Sequence, residues 1–131
     1  MADYSPVYSG GVDPFTTTAA SAIVGGTPVV AVAAGTVGPA GATSALCVGI
    51  AGQDAATGAK VTVWPLANCI HEVAVVAAGT VTALDGVVTG ALATVQTAPT
   101  SIATQAALGT LIGIALTTAT APNKVRFIGR F

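Results

Sequence analysis

The sequence predicts an all-β protein, a small β-barrel or β-sandwich built from two similar strand–turn–strand halves. Val and Thr are frequent from about Ile23 onward, and their branched side chains suit the pleated surface of a strand. Gly and Pro interrupt these runs at short intervals, which leaves little uninterrupted chain for long helices. A segment of the second half also repeats one in the first half, which predicts two units of similar structure.

The first twenty residues have the pattern of neither a strand nor a helix. Pro6, Pro14 and the Gly10–Gly11 pair interrupt regular structure here, yet the segment holds both tyrosines and one of the three phenylalanines. Since aromatic side chains are costly to leave in water, residues 1–20 are predicted to be an extended arm that docks on a protein surface. That surface is either the chain's own domain or another protein. The second alternative predicts that the arm is dispensable for folding but needed for attachment, through Tyr4, Pro6, Tyr8 and Phe15.

Residues 21–131 are predicted to form a single β domain. Turn signals such as Gly25–Gly26, the run 38–41 and Asp85–Gly86 separate the candidate strands. A short helix is expected at 99–108, where Pro99 would lie in the first turn. The candidate strands are Pro28–Ala33, Ala45–Gly52, Ala59–Trp64, Cys69–Ala77, Gly86–Ala93, Gly109–Thr117 and Lys124–Phe131.

The last candidate strand has the clearest alternation of apolar and polar residues. Val125, Phe127 and Phe131 are expected to face the core. The residues of the opposite face form a small basic row that could meet an acidic partner at an interface. These residues are Lys124, Arg126 and Arg130.

An internal repeat relates the two halves of the domain, at about 26–77 and 84–131. A shift of 64 residues aligns Gly49–Val63 with Gly113–Phe127 without a gap, and six of the fifteen positions are identical. Further upstream, Gly26–Val30 matches Leu84–Val88 at a shift of 58, so the second half carries about six extra residues, expected at 98–105. We expect each copy to cover the apolar face of the other, which would close the sheets and remove their edges.

The charge and hydropathy of the chain exclude several classes of protein. Charged residues make up 7% of the chain, against about 25% in typical domains, and the net charge of −1 provides no basic footprint for nucleic acid. Mean hydropathy is +0.81, but Gly and Pro interrupt the uncharged stretches, so no membrane-spanning segment is predicted. The opening residues MADYSPVYSGG lack the apolar segment of a signal peptide, so we expect synthesis in the cytoplasm. Cys47 and Cys69 are then expected to be buried free thiols.

The sequence contains few residues that could carry out catalysis. Its single histidine, His71, is adjacent to Glu72, and strand alternation directs the two to opposite faces. We expect this histidine on a strand surface or at a subunit contact. Cys47, Cys69 and His71 do not have the spacing of a metal site. We therefore expect no enzyme, no catalytic or metal-binding residue and no cofactor, and we expect Trp64 to cap a core or fill a subunit interface.

The order of these segments resembles that of the capsid cement (decoration) proteins of tailed bacteriophages. The resemblance rests on GGTPVVAV, ALCVGIAGQDAATGAKVTV, IHEV and the second GIA…NKVRF copy, and it covers roughly residues 23–126. It implies a virion protein that binds the outer surface of the assembled head and stabilises the shell. The implied partners are the major capsid protein and further copies of the chain, as a homotrimer on the shell, with no nucleic acid and no membrane. The alternative is a receptor- or glycan-binding β domain of a phage fibre or cell-surface assembly.

Overall fold

The computed structural model describes residues 3–130, which form strands with one short helix. The predicted all-β class is therefore confirmed. The first two residues of the predicted arm and the predicted core position of Phe131 lie outside the described residues. The strands are β1 (Phe15–Ala19), β2 (Pro28–Ala33), β3 (Thr36–Pro39), β4 (Cys47–Ala51), β5 (Lys60–Pro65), β6 (Ile70–Ala74), β7 (Thr80–Val81), β8 (Gly86–Gly90), β9 (Thr94–Thr97), β10 (Gly113–Ala115), β11 (Ala119–Thr120) and β12 (Lys124–Gly129), and the helix is α1 (Ile102–Leu108).

The first five strands form a closed barrel, which we call unit 1. Their order around the barrel is β1-β3-β2-β4-β5, and β1 also pairs with β5. The pairs are antiparallel except for β1 and β3, which run parallel and pair Thr18 with Thr36 and Ala19 with Val37. Closure leaves this sheet of short strands without an open edge.

The second half forms a five-stranded sheet of order β6-β12-β10-β8-β9, which we call unit 2. Its outer strands approach each other through a parallel bridge between Val75 and Val95. This bridge corresponds to the parallel β1–β3 pairing that closes unit 1. A separate two-stranded sheet of β7 and β11 lies beside it.

The internal repeat is present in the strand register as well as in the sequence. In unit 1, Gly49 pairs with Pro65 and Ala51 with Val63. In unit 2, at a shift of 64 residues, Gly113 pairs with Gly129 and Ala115 with Phe127. The shift of 58 likewise relates the β2–β3 register to that of β8–β9. The two units therefore have the same topology, and corresponding strands pair in the same register.

Each unit packs around a hydrophobic cluster of its own, so the expectation that each copy covers the other holds only where Ile50 and Leu66 pack on unit 2. One cluster holds unit 1 residues, among them Val29, Val61 and Val63. The other is built mainly from unit 2 residues around Phe127, and it also takes in Ile50 of β4. Five strands with Val at the inward positions fill a barrel of this size, so the interior of unit 1 is packed without the other unit.

Five strands lie outside the predicted ones, namely β1, β3, β7, β9 and β11. Phe15–Ala19, assigned to the arm, form β1, because their Thr-rich sequence pairs with β5 on one side and β3 on the other. Gly38 and Pro39, predicted to begin a turn at 38–41, instead end β3, and the turn between β2 and β3 lies earlier, at Gly35 with its φ of 75°. The extra residues of the second half are found where they were expected, between β9 and β10. They include α1, capped by Ser101 and by Gly109 in the left-handed conformation.

Candidate functional site

The N-terminal segment, residues 3–8, lies across both units. The backbone N–H of Tyr4 donates to the carbonyl of Gly52 at the end of β4, over 2.8 Å. The N–H of Val7 donates to the carbonyl of Ile70 in β6, also over 2.8 Å. Because these two acceptors belong to different units, the segment acts as a strap that ties unit 1 to unit 2.

The Tyr4 side chain contacts a buried histidine of unit 2. Its ring stacks on the ring of His71 with centroids 5.9 Å apart, and His71 in turn packs against Phe127. His71 is 0% exposed, which corrects the expectation of a histidine on a strand surface or at a subunit contact. His71 and Glu72 do point to opposite faces of β6, as predicted, with His71 directed inward and Glu72 outward. The histidine is on the core face, together with Val73.

The hydrogen bonds determine which nitrogen of His71 carries the proton. Nε2 lies 2.8 Å from the carbonyl oxygen of Pro65, which can only accept, so Nε2 carries the hydrogen. In a neutral ring Nδ1 then accepts, and the Tyr4 hydroxyl donates to it over 2.7 Å. The same hydroxyl accepts from the backbone N–H of Glu72. The network satisfies every polar atom of a neutral His71.

Burial determines the direction in which the pKa of each group shifts. Desolvation lowers the pKa of His71, and the hydrogen bond to Pro65 opposes this only in part. Desolvation also raises the pKa of Tyr4, although the bond from the Glu72 N–H opposes the shift. Both residues are therefore neutral in the folded protein at neutral pH.

We expect acid to weaken the fold through His71. A histidine whose pKa is lowered by folding contributes stability above its ordinary pKa of about 6.5, and this contribution is lost as the pH falls towards the lowered value. Each pH unit in that window removes up to about 1.4 kcal/mol. Chemical denaturation between neutral pH and mild acid measures the loss. The variant His71→Gln, whose amide can donate to Pro65 and accept from Tyr4, should lose stability less steeply. An equal slope in both proteins would contradict the assignment.

The other residues predicted for the arm are more accessible. Tyr8 is 61% exposed and pairs through its backbone with Ile70, while Pro6 is half-buried. Phe15 begins β1 opposite Val63 and is 40% exposed. Of the four predicted contact residues, Tyr4 is engaged within the chain, whereas Tyr8 and Phe15 present much of their rings to the surface.

The predicted basic row lies on the outer face of β12. Lys124, Arg126 and Arg130 are exposed and alternate with buried residues, as the sequence predicts. Arg126 pairs across the strands with Glu72, with 2.9 Å between Nε and Oε2. Trp64 is half-buried in β5 and pairs with Ile50, on the side of unit 1 where unit 2 packs.

A small apolar cleft of about 260 Å³ lies between the units, beside α1. Among the described residues that line it, Cys47 is the one with a titratable side chain, and burial raises the pKa of its thiol to about 12. A thiol with so high a pKa is not a nucleophile at neutral pH. The cleft can hold an apolar side chain, and its lining offers no acid or base for chemistry. The lining residues are Ala45, Cys47, Leu66, Ala106, Gly109, Leu111 and Ile112.

We expect the fold to be stable without a metal ion or a disulfide. Cys47 and Cys69 are both free, and Cys69 is fully buried while Cys47 is partly buried. Within residues 3–130, no three His, Cys, Asp or Glu side chains form a group that could hold a metal ion. Thermal unfolding with chelator and reductant present should therefore give an unchanged midpoint. A fall of tens of degrees would show that a metal or a disulfide supports the fold.

No protein-family model and no curated protein matches the sequence. Among solved structures, the crystal structure of the N base of head fiber gp8.5 in bacteriophage phi29 superposes with a TM-score of 0.64. The match covers 89% of this chain and 92% of that chain, at 19% sequence identity. The chain has the fold of this head-fibre base. No helix between residues 3 and 130 is both long and apolar enough to span a bilayer.

The likeness to the head-fibre base covers both units. A match over 89% of the chain spans more than either unit alone, so the head-fibre base shares the two-unit architecture rather than one barrel. At 19% identity the likeness is one of backbone, and no residue role is transferred. Sequence reasoning missed the pairing of Tyr4 with His71, although the alternation of Ile70–Ala74 was a signal that could have located His71 in the core.

Proposed function

We propose that this protein is a virion structural protein that binds the outer surface of the assembled phage head and stabilises the shell, as a cement protein does. The observation that carries the proposal is the shared fold with the phi29 head-fibre base over nearly the whole of both chains. The net charge of −1 favours it as well, because copies that sit side by side on a shell do not repel one another strongly. The protein acts without enzymatic activity, nucleic acid or membrane, and its place is the outer capsid surface.

The proposed partners are the major capsid protein and further copies of the chain. A 12.5 kDa protein offers little area for a stable interface, which takes about 800 Å² per partner, so several linked copies bind more tightly than one. We propose a homotrimer on the shell, since three copies can span a position where three capsid subunits meet. Tyr8 and Phe15, the exposed aromatic residues of the predicted arm, are the proposed capsid contacts.

Binding to heads tests this function. Heads that lack the protein are mixed with it and sedimented, and we expect saturable binding in many copies per head. The bound protein should survive high salt, because with so few charges the contacts are mainly apolar. The double variant Tyr8→Ala with Phe15→Ala should bind more weakly, while Leu92→Ser, at an exposed turn of unit 2, serves as the control. Failure of the protein to sediment with heads would overturn the proposal.

The second candidate is the base of a head fibre that carries a receptor- or glycan-binding part. The specific observation in its favour is that the structural neighbour is itself the base of a head fibre. Occupancy distinguishes the two functions, because a cement protein coats the shell at stoichiometric levels. A longer polypeptide in the virion that extends beyond this chain into a fibre would favour the second candidate.

A further inference from the structure

The outer face of β10 and β12 combines a half-buried and an exposed isoleucine with most of the chain's positive charge. Ile114 and Ile128 are cross-strand partners there, and Ile128 is 41% exposed. The predicted basic row alternates with buried residues along β12 and lies on this same side. The face therefore holds three of the four lysines and arginines of the chain. We call it the β10–β12 face and define it by Ile114, Lys124, Arg126, Ile128 and Arg130.

The internal repeat indicates what packs against such a face. The shift of 64 residues makes Ile50 the counterpart of Ile114 and Leu66 the counterpart of Arg130. Ile50 is 0% exposed and Leu66 is buried, and both belong to the cluster formed mainly by unit 2. In unit 1, the part of this face at Ile50 and Leu66 is thus covered by unit 2, whereas Lys60, the counterpart of Lys124, is exposed. Ile128 and the basic residues show that the corresponding face of unit 2 is open to solvent.

The charge distribution indicates which unit fits the open face. Residues 1–65 contain three acids and one lysine, a net charge of −2, whereas residues 66–131 contain two acids and three basic residues, a net charge of +1. Glu72 pairs with Arg126 on this side, and the face keeps a net positive charge through its other basic residues. It is therefore complementary to unit 1 and not to another copy of unit 2. Opposite charges at an interface fix the orientation of the partners, and buried apolar side chains supply most of the affinity.

We propose that the β10–β12 face binds unit 1 of a second copy of this chain, so that copies associate head to tail. Such a contact uses different surfaces on the two partners, and it closes into a ring when the rotation allows. A ring of three is one such closed form. The inference rests on the self-association in the proposed function and supplies the surface that carries it. It does not depend on which capsid surface the protein binds.

Sedimentation velocity over a series of protein concentrations tests the inference. The unmodified chain should associate reversibly as its concentration rises. Ile128→Ser should weaken the association about tenfold, because it removes one buried aliphatic side chain from the contact. The matched control is Leu92→Ser, which removes an aliphatic side chain that is 94% exposed at the β8–β9 turn and should leave the association unchanged. Thermal melts of each variant verify that the monomer remains folded.

A charge pair gives a second, directional test. Lys124 and Lys60 begin corresponding strands of the two units, and both are exposed. Lys124→Glu places a negative charge on the β10–β12 face and should weaken association, whereas Lys60→Glu makes unit 1 more acidic and should not. A chain that is monomeric at every concentration would overturn the inference, and so would equal effects of Ile128→Ser and Leu92→Ser. Head binding is measured separately, so neither result decides the proposed virion role.

Discussion

Gly49→Ala and Gly113→Ala should each destabilise the protein by about 3 kcal/mol, and together they should prevent folding. A Cβ at Gly49 would lie 2.8 Å from Val63 Cγ1 and would also collide with the carbonyl oxygen of Trp64. At Gly113 the corresponding atoms are Phe127 Cδ2, at 2.6 Å, and the carbonyl oxygen of Ile128. A backbone carbonyl cannot rotate away as a side chain can, so the strands themselves must separate. A native protein has a free energy of unfolding of about 5–15 kcal/mol, so the two substitutions together remove a large part of it.

Gly41→Ala is the matched control for these two variants. Gly41 is exposed, and a Cβ there would meet no atom within 4 Å. Urea denaturation of the three single variants measures the difference, and Gly41→Ala should remain within about 0.5 kcal/mol of the parent. If Gly49→Ala or Gly113→Ala proved as stable as the control, the close approach of the paired strands in the two units would be wrong.

Tyr4→Ala should destabilise the fold by about 2–4 kcal/mol, although the residue is only the fourth of the chain. The substitution removes a ring that stacks on His71 and a hydroxyl that pairs with both His71 Nδ1 and the Glu72 N–H. Tyr4→Phe keeps the ring and leaves the buried Nδ1 without its donor, so it should account for about 1–3 kcal/mol of the loss.

Tyr8→Ala serves as the control for the Tyr4 variants. Tyr8 lies in the same segment, but its side chain is 61% exposed, so its removal should cost about 0.5 kcal/mol or less. Equilibrium unfolding of Tyr4→Ala, Tyr4→Phe and Tyr8→Ala compares the three directly. Equal stability of the Tyr4 and Tyr8 variants would show that the whole segment is dispensable for folding.

The N-terminal contacts also change what a truncation should do. If the arm docked on another protein, deleting residues 2–18 would spare the fold. The deletion removes Tyr4 and four of the five residues of β1, the strand that closes unit 1 between β3 and β5. We now expect the truncated chain not to fold. Of the two alternatives for the arm, the contacts of Tyr4 favour docking on the chain's own domain.

The repeat was visible in the sequence because the geometry of the strand pairs demands it. Gly49 and Gly113 are identical since both allow the same close approach, and Lys60 and Lys124 begin the strands that pair with them. The offset between the shifts of 58 and 64 located the insertion that contains α1. These features depend on local sequence and on spacing, and both can be read from a single sequence.

The remaining features depend on pairings between residues distant in sequence. β3 is a strand because β2 and β1 pair with it, although its Gly and Pro favour a turn. Likewise, the alternation in β6 could direct His71 inward, but nothing nearby in the sequence indicated that Tyr4, 67 residues away, would satisfy it. The sequence pattern therefore located the exposed site residues, but it could not show which distant residue each of them contacts.

The measurement that tests the central claim most directly is a cryo-electron microscopy reconstruction of heads that carry the protein. The account predicts density for the two-unit fold on the outer surface of the shell, in many copies and grouped in threes. Absence of this density from the shell, with the protein confined to a few copies elsewhere in the virion, would contradict it.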